Sequence, residues 1–234
     1  MPVGQVIQRC LTFAVGSMGL AWGILALPTG EAADDYRYLE SQLLRSETYN
    51  LRTLALKVAS PAAEGLSDCD VHSQTALLLM EIRLAQAALR AGAAAEFDQR
   101  GKSIELRTKR VLSCAPRQSF VWLLAFSLKI MHGQVTEQSL NQLAMSYETS
   151  PNEGWIAIRR NVVALPLVLQ VPQALQDKIL DEFQQLIRNG FVDEAVISYS
   201  GTSASIRSLL QPAIERLDGP HQKAFWDALQ RHHS

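Results

Sequence analysis

Cysteine is scarce, three in 234 residues. That is too few for a disulfide-framework toxin or a four-cysteine zinc site. No Cys-x-x-Cys occurs, which argues against a redox catalyst. Neither sign of charge dominates, with 22 Lys+Arg against 23 Asp+Glu, which argues against a nucleic-acid binder working through a basic face. Charged residues make up only 19% and hydrophobic ones 47%. A chain of this length and apolar content can bury a real core, and intrinsic disorder is excluded.

Metal and phosphate chemistry is equally thin. His72, His132, His221, His232 and His233 include no pair at the i, i+4 spacing that puts two ligands on one helical face. The His232-His233 pair reads as a frayed tail. Gly101-Lys102-Ser103 ends like a phosphate-binding loop, but Glu96 stands where the loop needs its first glycine and no strand precedes it. It reads as a helix-start lysine in solvent. The stretch SYSGTSAS (198–205) lacks the Gly-x-Ser-x-Gly of a nucleophile elbow. It reads as a helix–helix connection with Thr202 or Ser203 as the next N-cap. No catalytic residue, metal ligand or cofactor is assigned.

What is present begins with an apolar run. Residues 10–27, CLTFAVGSMGLAWGILAL, carry no charge and as a helix would reach ~27 Å, close to the bilayer's hydrocarbon thickness. Arg9 precedes the run, and Glu31, Asp34 and Asp35 follow it, so the remainder of the chain is expected on the far side of the membrane. The run is a signal anchor or a signal peptide. Its length favours the anchor; Pro28 as a helix breaker, and Gly30-Glu31-Ala32 as a cleavage site, favour the peptide. Residues 1–33 are therefore set apart from an exported domain at 34–234. Cys10 opens the run and does not follow it, so lipidation is not expected there.

The exported part reads as one helix after another. Tyr36, Leu39 and Leu43 share a face, as do Leu51, Leu54, Ala55 and Val58. Leu77 to Leu89 is a leucine- and alanine-rich helix ending near Gly92. Ile104, Thr108 and Val111 mark a shorter one up to Cys114. FVWLLAFSLKIM (120–131) is apolar nearly all round and predicts a central helix closed by His132-Gly133. Leu140, Leu143, Ala144 and Tyr147 have plain amphipathic spacing. Ser150-Pro151-Asn152-Glu153 reads as a capping box opening a helix that buries Trp155, Ile158, Val162 and Leu165. Pro166 should kink or end it, and argues against a strand in VVALPLVLQV. Leu175, Ile179, Phe183 and Leu186 form a stripe opposite Asp177, Asp181, Glu182 and Arg188. Gly190 stops that helix. Three short helices follow at 192–199, 205–217 and 220–230, the second disturbed by Pro212.

The expected fold class is thus all-α. Pro116 and Pro151 are each soon followed by a tryptophan, Trp122 and Trp155, and Cys69 and Cys114 each precede an apolar helix. On these residues the stretch 60–199 resembles a degenerate tetratricopeptide array, which implies stacked antiparallel helix pairs. Trp122 fits that family's early aromatic. Pro151 falls one place from its closing proline, and Phe126 and Gln138 stand where it has glycine and alanine. The segment SYETSPNEGWIAIRRN (146–161) is similar to a stretch of small exported tetratricopeptide-like proteins from polysaccharide gene clusters. That similarity implies a role beside exopolysaccharide or O-antigen assembly.

Two side-chain pairs are singled out. In an oxidising compartment Cys69 and Cys114 are expected to be bonded, stapling adjacent helix starts; two buried free thiols is the other reading. Arg159 and Arg160 are expected at the flank of the buried stripe and opposite it. There they would grip a partner's carboxylates or an anionic sugar, or form a solvated face. The expectation is a non-enzymatic protein-binding scaffold, periplasmic or anchored in the inner membrane through residues 10–27, with polysaccharide machinery among its partners and no nucleic acid. The alternative is an enzyme, or an enzyme subunit, acting on cell-surface polysaccharide. That chemistry needs paired carboxylates in a cleft, and the adjacent Asp193 and Glu194 point in different directions.

Overall fold

A computed structural model of the chain describes residues 3–45 and 49–232, the side chains of residues 3–10, 24–32 and 45 excepted. Among the described residues every regular element is a helix. The chain divides into two compact units, 1–115 and 116–234.

The first unit is organised around α4 (Val71–Arg90). Residues 73–81 of this helix are all buried, because α1 (Val3–Arg45), α2 (Leu51–Val58) and α5 (Ala94–Cys114) pack around it. Leu77, Leu78 and Met80 have no exposed surface. Short polar residues set the helix starts by accepting from free N–H groups. Asn50 caps α2, Asp70 caps α4, and Ser60 caps the one-turn α3 (Pro61–Glu64) with Pro61 in its first turn. The Tyr36 hydroxyl on α1 meets the Lys57 carbonyl at 2.9 Å and Ser60 Oγ at 3.0 Å, tying α1 to the end of α2. Cys69 and Cys114 are joined in a disulfide. The bridge links the start of α4 to the end of α5, not two helix starts, because Cys114 closes α5 and does not precede the next helix.

Helix α1 departs from expectation. It does not break at Pro28 but continues from Val3 to Arg45, through the 33/34 boundary. A proline costs a helix one hydrogen bond and some bending while the flanking turns keep theirs. Ala33, Tyr36 and Leu43 at its far end are buried. Residues 11–22 are exposed on every side. Among the described residues no helix is long and apolar enough to cross a membrane. The side chain of Cys10, those of residues 24–27 and the Gly30-Glu31-Ala32 cleavage site lie outside the described side chains.

The second unit contains α6 (Ser119–Met131), α7 (Glu137–Thr149), α8 (Gly154–Ala164), a 3-10 turn η1 (Leu165–Gln170), α9 (Gln173–Arg188), α10 (Val192–Ser200), α11 (Ala204–Glu215) and α12 (Gly219–His232). Helix α6 packs on α7 and α8, and α9 meets α8, α10, α11 and α12. The stripe Leu175, Ile179, Phe183 and Leu186 is buried as expected. Phe183, Tyr199 and Trp226 all place their rings edge-on to Phe225, the first two at 5.9 and 5.4 Å. Pro166 falls in the 3-10 turn that follows α8, and no strand forms there. Pro212 sits inside α11 without ending it. Gly92, Gly133 and Gly190 adopt positive φ just past α4, α6 and α9, where an L side chain would be strained.

Candidate functional site

In the second unit the sequence around Ser150 folds differently from a capping box. Ser150 ends α7, and Glu153 is the residue before α8, which opens at Gly154. A side chain there would be crowded: a Cβ would lie 3.0 Å from the Phe191 ring, which would have to give way. The helix buries Ile156, Ala157, Arg160, Asn161 and Ala164 and leaves Trp155 partly exposed.

Arg160, expected to face solvent, is therefore among the largest fully buried side chains. It escapes the cost of a lone buried charge because its donors are all engaged. Nε donates to Glu182 Oε1 at 2.9 Å. One terminal nitrogen donates to the Ser146 carbonyl at 2.6 Å, and the other reaches Glu182 Oε1 and the Ser150 carbonyl. The guanidinium lies 4.0 Å from the centroid of the Tyr147 ring, and the Tyr147 hydroxyl donates to Glu182 Oε2 at 3.0 Å. Burial holds the Glu182 carboxyl above the ordinary carboxylate range, against the opposing pull of Arg160. Burial and the Glu182 charge together hold the Tyr147 phenol well above its ordinary value.

Over this triad lies a cleft of about 550 Å³, walled by α7, α8, α9 and the α9–α10 turn. Tyr147 and Glu182 line it together with Ala157, Leu186 and Phe191. Its rim carries Glu148 and Lys178, 3.8 Å apart, and Asp181. Neither a family model nor a curated protein matches the chain.

The remaining candidates fall elsewhere. Arg159 is half-buried on the surface, its N–H donating to the Trp155 carbonyl at 2.9 Å and its guanidinium 5.4 Å from the Trp155 ring. Arg159 and Arg160 thus do not act as one grip. Gly101-Lys102-Ser103 lies inside α5, not at a helix start. Lys102 is in solvent and Ser103 donates to Glu81. Glu81 also pairs with Arg100 at 3.0 Å, forming a polar seam between α4 and α5. SYSGTSAS links α10 to α11, and Ser203 caps the latter. Asp193 pairs with Arg231 at 3.4 Å. Among the described residues no cluster of His, Cys, Asp and Glu has the arrangement of a metal site; His233 lies outside them.

Glu182 and Tyr147 are the residues that sequence reading missed as a pair. The signal was present. Glu182, expected opposite the stripe, is buried: it is at i+7 from Leu175 and i+3 from Ile179, so helical periodicity places it on the stripe's own side. A buried carboxylate requires a cation.

Proposed function

We propose that the chain is an exported, non-enzymatic scaffold held at the outer face of the inner membrane by α1, with its helical units binding a protein partner. The observation that carries this reading is the contrast along α1. Its far end is packed into the first unit, while Leu11, Phe13 and Trp22 are 60%, 79% and 74% exposed on a rod that nothing in that unit covers. Exposed apolar surface of that extent calls for lipid or another apolar cover. The Cys69–Cys114 bridge supports an oxidising compartment. The pairing of α4 with α5, α6 with α7 and α8 with α9 supports a tetratricopeptide-like arrangement. Arg159 on its tryptophan is a candidate contact for the partner. The likeness of 146–161 to exported proteins of polysaccharide clusters supports a role accessory to surface polysaccharide synthesis or export.

Carbonate extraction of membranes tests the anchor. The full chain should stay in the pellet, and a chain lacking residues 1–30 behind an unrelated cleavable signal should be released. Co-purification from those membranes tests the partner. Recovery of the full chain in the carbonate supernatant, or its purification with no companion protein, would end the proposal.

A second reading, an enzyme acting on surface polysaccharide, draws on Glu148, Asp181 and Glu182 sharing one cleft. Both Glu182 oxygens already accept hydrogen bonds from Arg160 and Tyr147, which favours a positioning role over an acid–base one. Turnover in a glycan-cleavage assay, abolished by Glu182→Gln or Asp181→Asn, would favour the enzyme.

A further inference from the structure

We infer that the cleft of the second unit receives a basic side chain, lysine or arginine, from the partner polypeptide. The inference deepens the protein-binding reading and rests on it.

The charge balance of the cleft carries the argument. Glu182 is neutralised from beneath by Arg160, and Glu148 is met at the rim by Lys178. Asp181 has no ion pair or hydrogen bond among the described residues, and it is exposed. One negative charge is left over. Asn152, Gln185 and Asn189 line the same cleft with side chains likewise uncommitted, so amide oxygens stand ready beside the carboxylate to accept from an ammonium or a guanidinium. An anion would meet repulsion from Asp181.

Size and apolar lining favour a side chain over a bare ion. About 550 Å³ falls in the range that encloses a small organic group. Ala157, Leu186 and the Phe191 ring supply apolar wall for methylene groups, as long basic side chains need when only the head is polar. An aromatic ring also favours a cation at its face. Because Gly154 lets the Phe191 ring pack against the start of α8, the sequence itself keeps that wall in place.

The test is a titration of the isotope-labelled full chain in detergent micelles, followed by backbone amide resonances. The probes are a blocked Gly-Arg-Gly tripeptide, its lysine counterpart and its uncharged citrulline counterpart. At least one basic tripeptide should shift the amides of Gly154, Asp181, Asn189 and Phe191. Asp181→Asn should weaken that binding about tenfold, and Lys178→Gln, which removes a competing cation, should tighten it. Equal binding of the citrulline peptide, no shift with either basic peptide, or an equally strong response to a neutral disaccharide would overturn the assignment. Co-purification from membranes separates this inference from the reading it rests on. A partner that stays bound to the Asp181→Asn chain sinks the cleft assignment and leaves the scaffold standing. Charge-dependent peptide binding with no partner recovered from the wild type sinks the scaffold and leaves the cation site.

Discussion

Replacing Arg160 with methionine keeps an unbranched side chain of similar reach and removes the charge. Glu182 is then left buried with only the Tyr147 hydroxyl as donor, and the Ser150 carbonyl loses the N–H it receives from Arg160. Breaking a buried pair from one side costs about 3–5 kcal/mol. Glu182→Leu, which strands the guanidinium, should cost a similar amount. The double variant strands only the Tyr147 hydroxyl and the Ser150 carbonyl, roughly 1–3 kcal/mol for each group left unsatisfied. The double should therefore be less destabilised than the two singles added together, with a coupling of about 4 kcal/mol from the middle of these ranges. Urea unfolding followed by tryptophan fluorescence suits the question, since Trp122, Trp155 and Trp226 all lie in the second unit. The effect also has a pH sign. Burial raises the Glu182 carboxyl, and Arg160 opposes that rise. Without Arg160 the folded-state value moves further up, so the variant's stability is best retained below the ordinary carboxyl range and lost as pH rises through the raised value. The penalty of Arg160→Met should be larger at about pH 8 than at about pH 5. Additive single and double variants, or a penalty below about 1 kcal/mol, would refute the account of Arg160 as a charge the core must pair.

Three further outcomes are expected. Replacing Cys69 and Cys114 with serine opens a loop of 45 residues' separation, and the first unit should lose about 4 kcal/mol by denaturant titration if loop entropy governs. Asp218 accepts from the backbone N–H and ring Nδ1 of His221 at the start of α12, and its carboxyl is held below the ordinary range, chiefly by that backbone bond. Its NMR titration should therefore fall below that of free aspartate, and the stability it lends α12 should be present above the unfolded value and fade as pH drops through the lowered one. Phe225→Ala empties a site ringed by Phe183, Tyr199 and Trp226, and thermal or urea unfolding should show a loss of about 3–5 kcal/mol.

Much of the fold was legible from punctuation and period. Glycines at 92, 133 and 190 end helices where read, and Leu175 to Leu186 faces inward as its spacing demanded. The site was not legible, for a geometric reason. The spacing of Trp155, Ile158, Val162 and Leu165 suggests a buried face with Arg160 opposite it; the folded helix instead turns inward the face of Ile156, Arg160, Asn161 and Ala164. Apolar spacing favoured the first, and tertiary packing chose the second. The Phe191 ring claims the space over Gly154, and Glu182 waits across on α9. Pro28 failed as a boundary for a related reason: proline is a strong signal at a helix end and a weaker one inside a long helix that other turns support.

The bridge between Cys69 and Cys114 has a mechanical consequence. Tension transmitted along the chain past residue 115 meets the sulfur at Cys114 before it can unwind the last turns of α5. The load passes directly to the root of α4, so the pair of helices must be dislodged as one block, and neither can be peeled from the other at that end until a reductant cuts the tie.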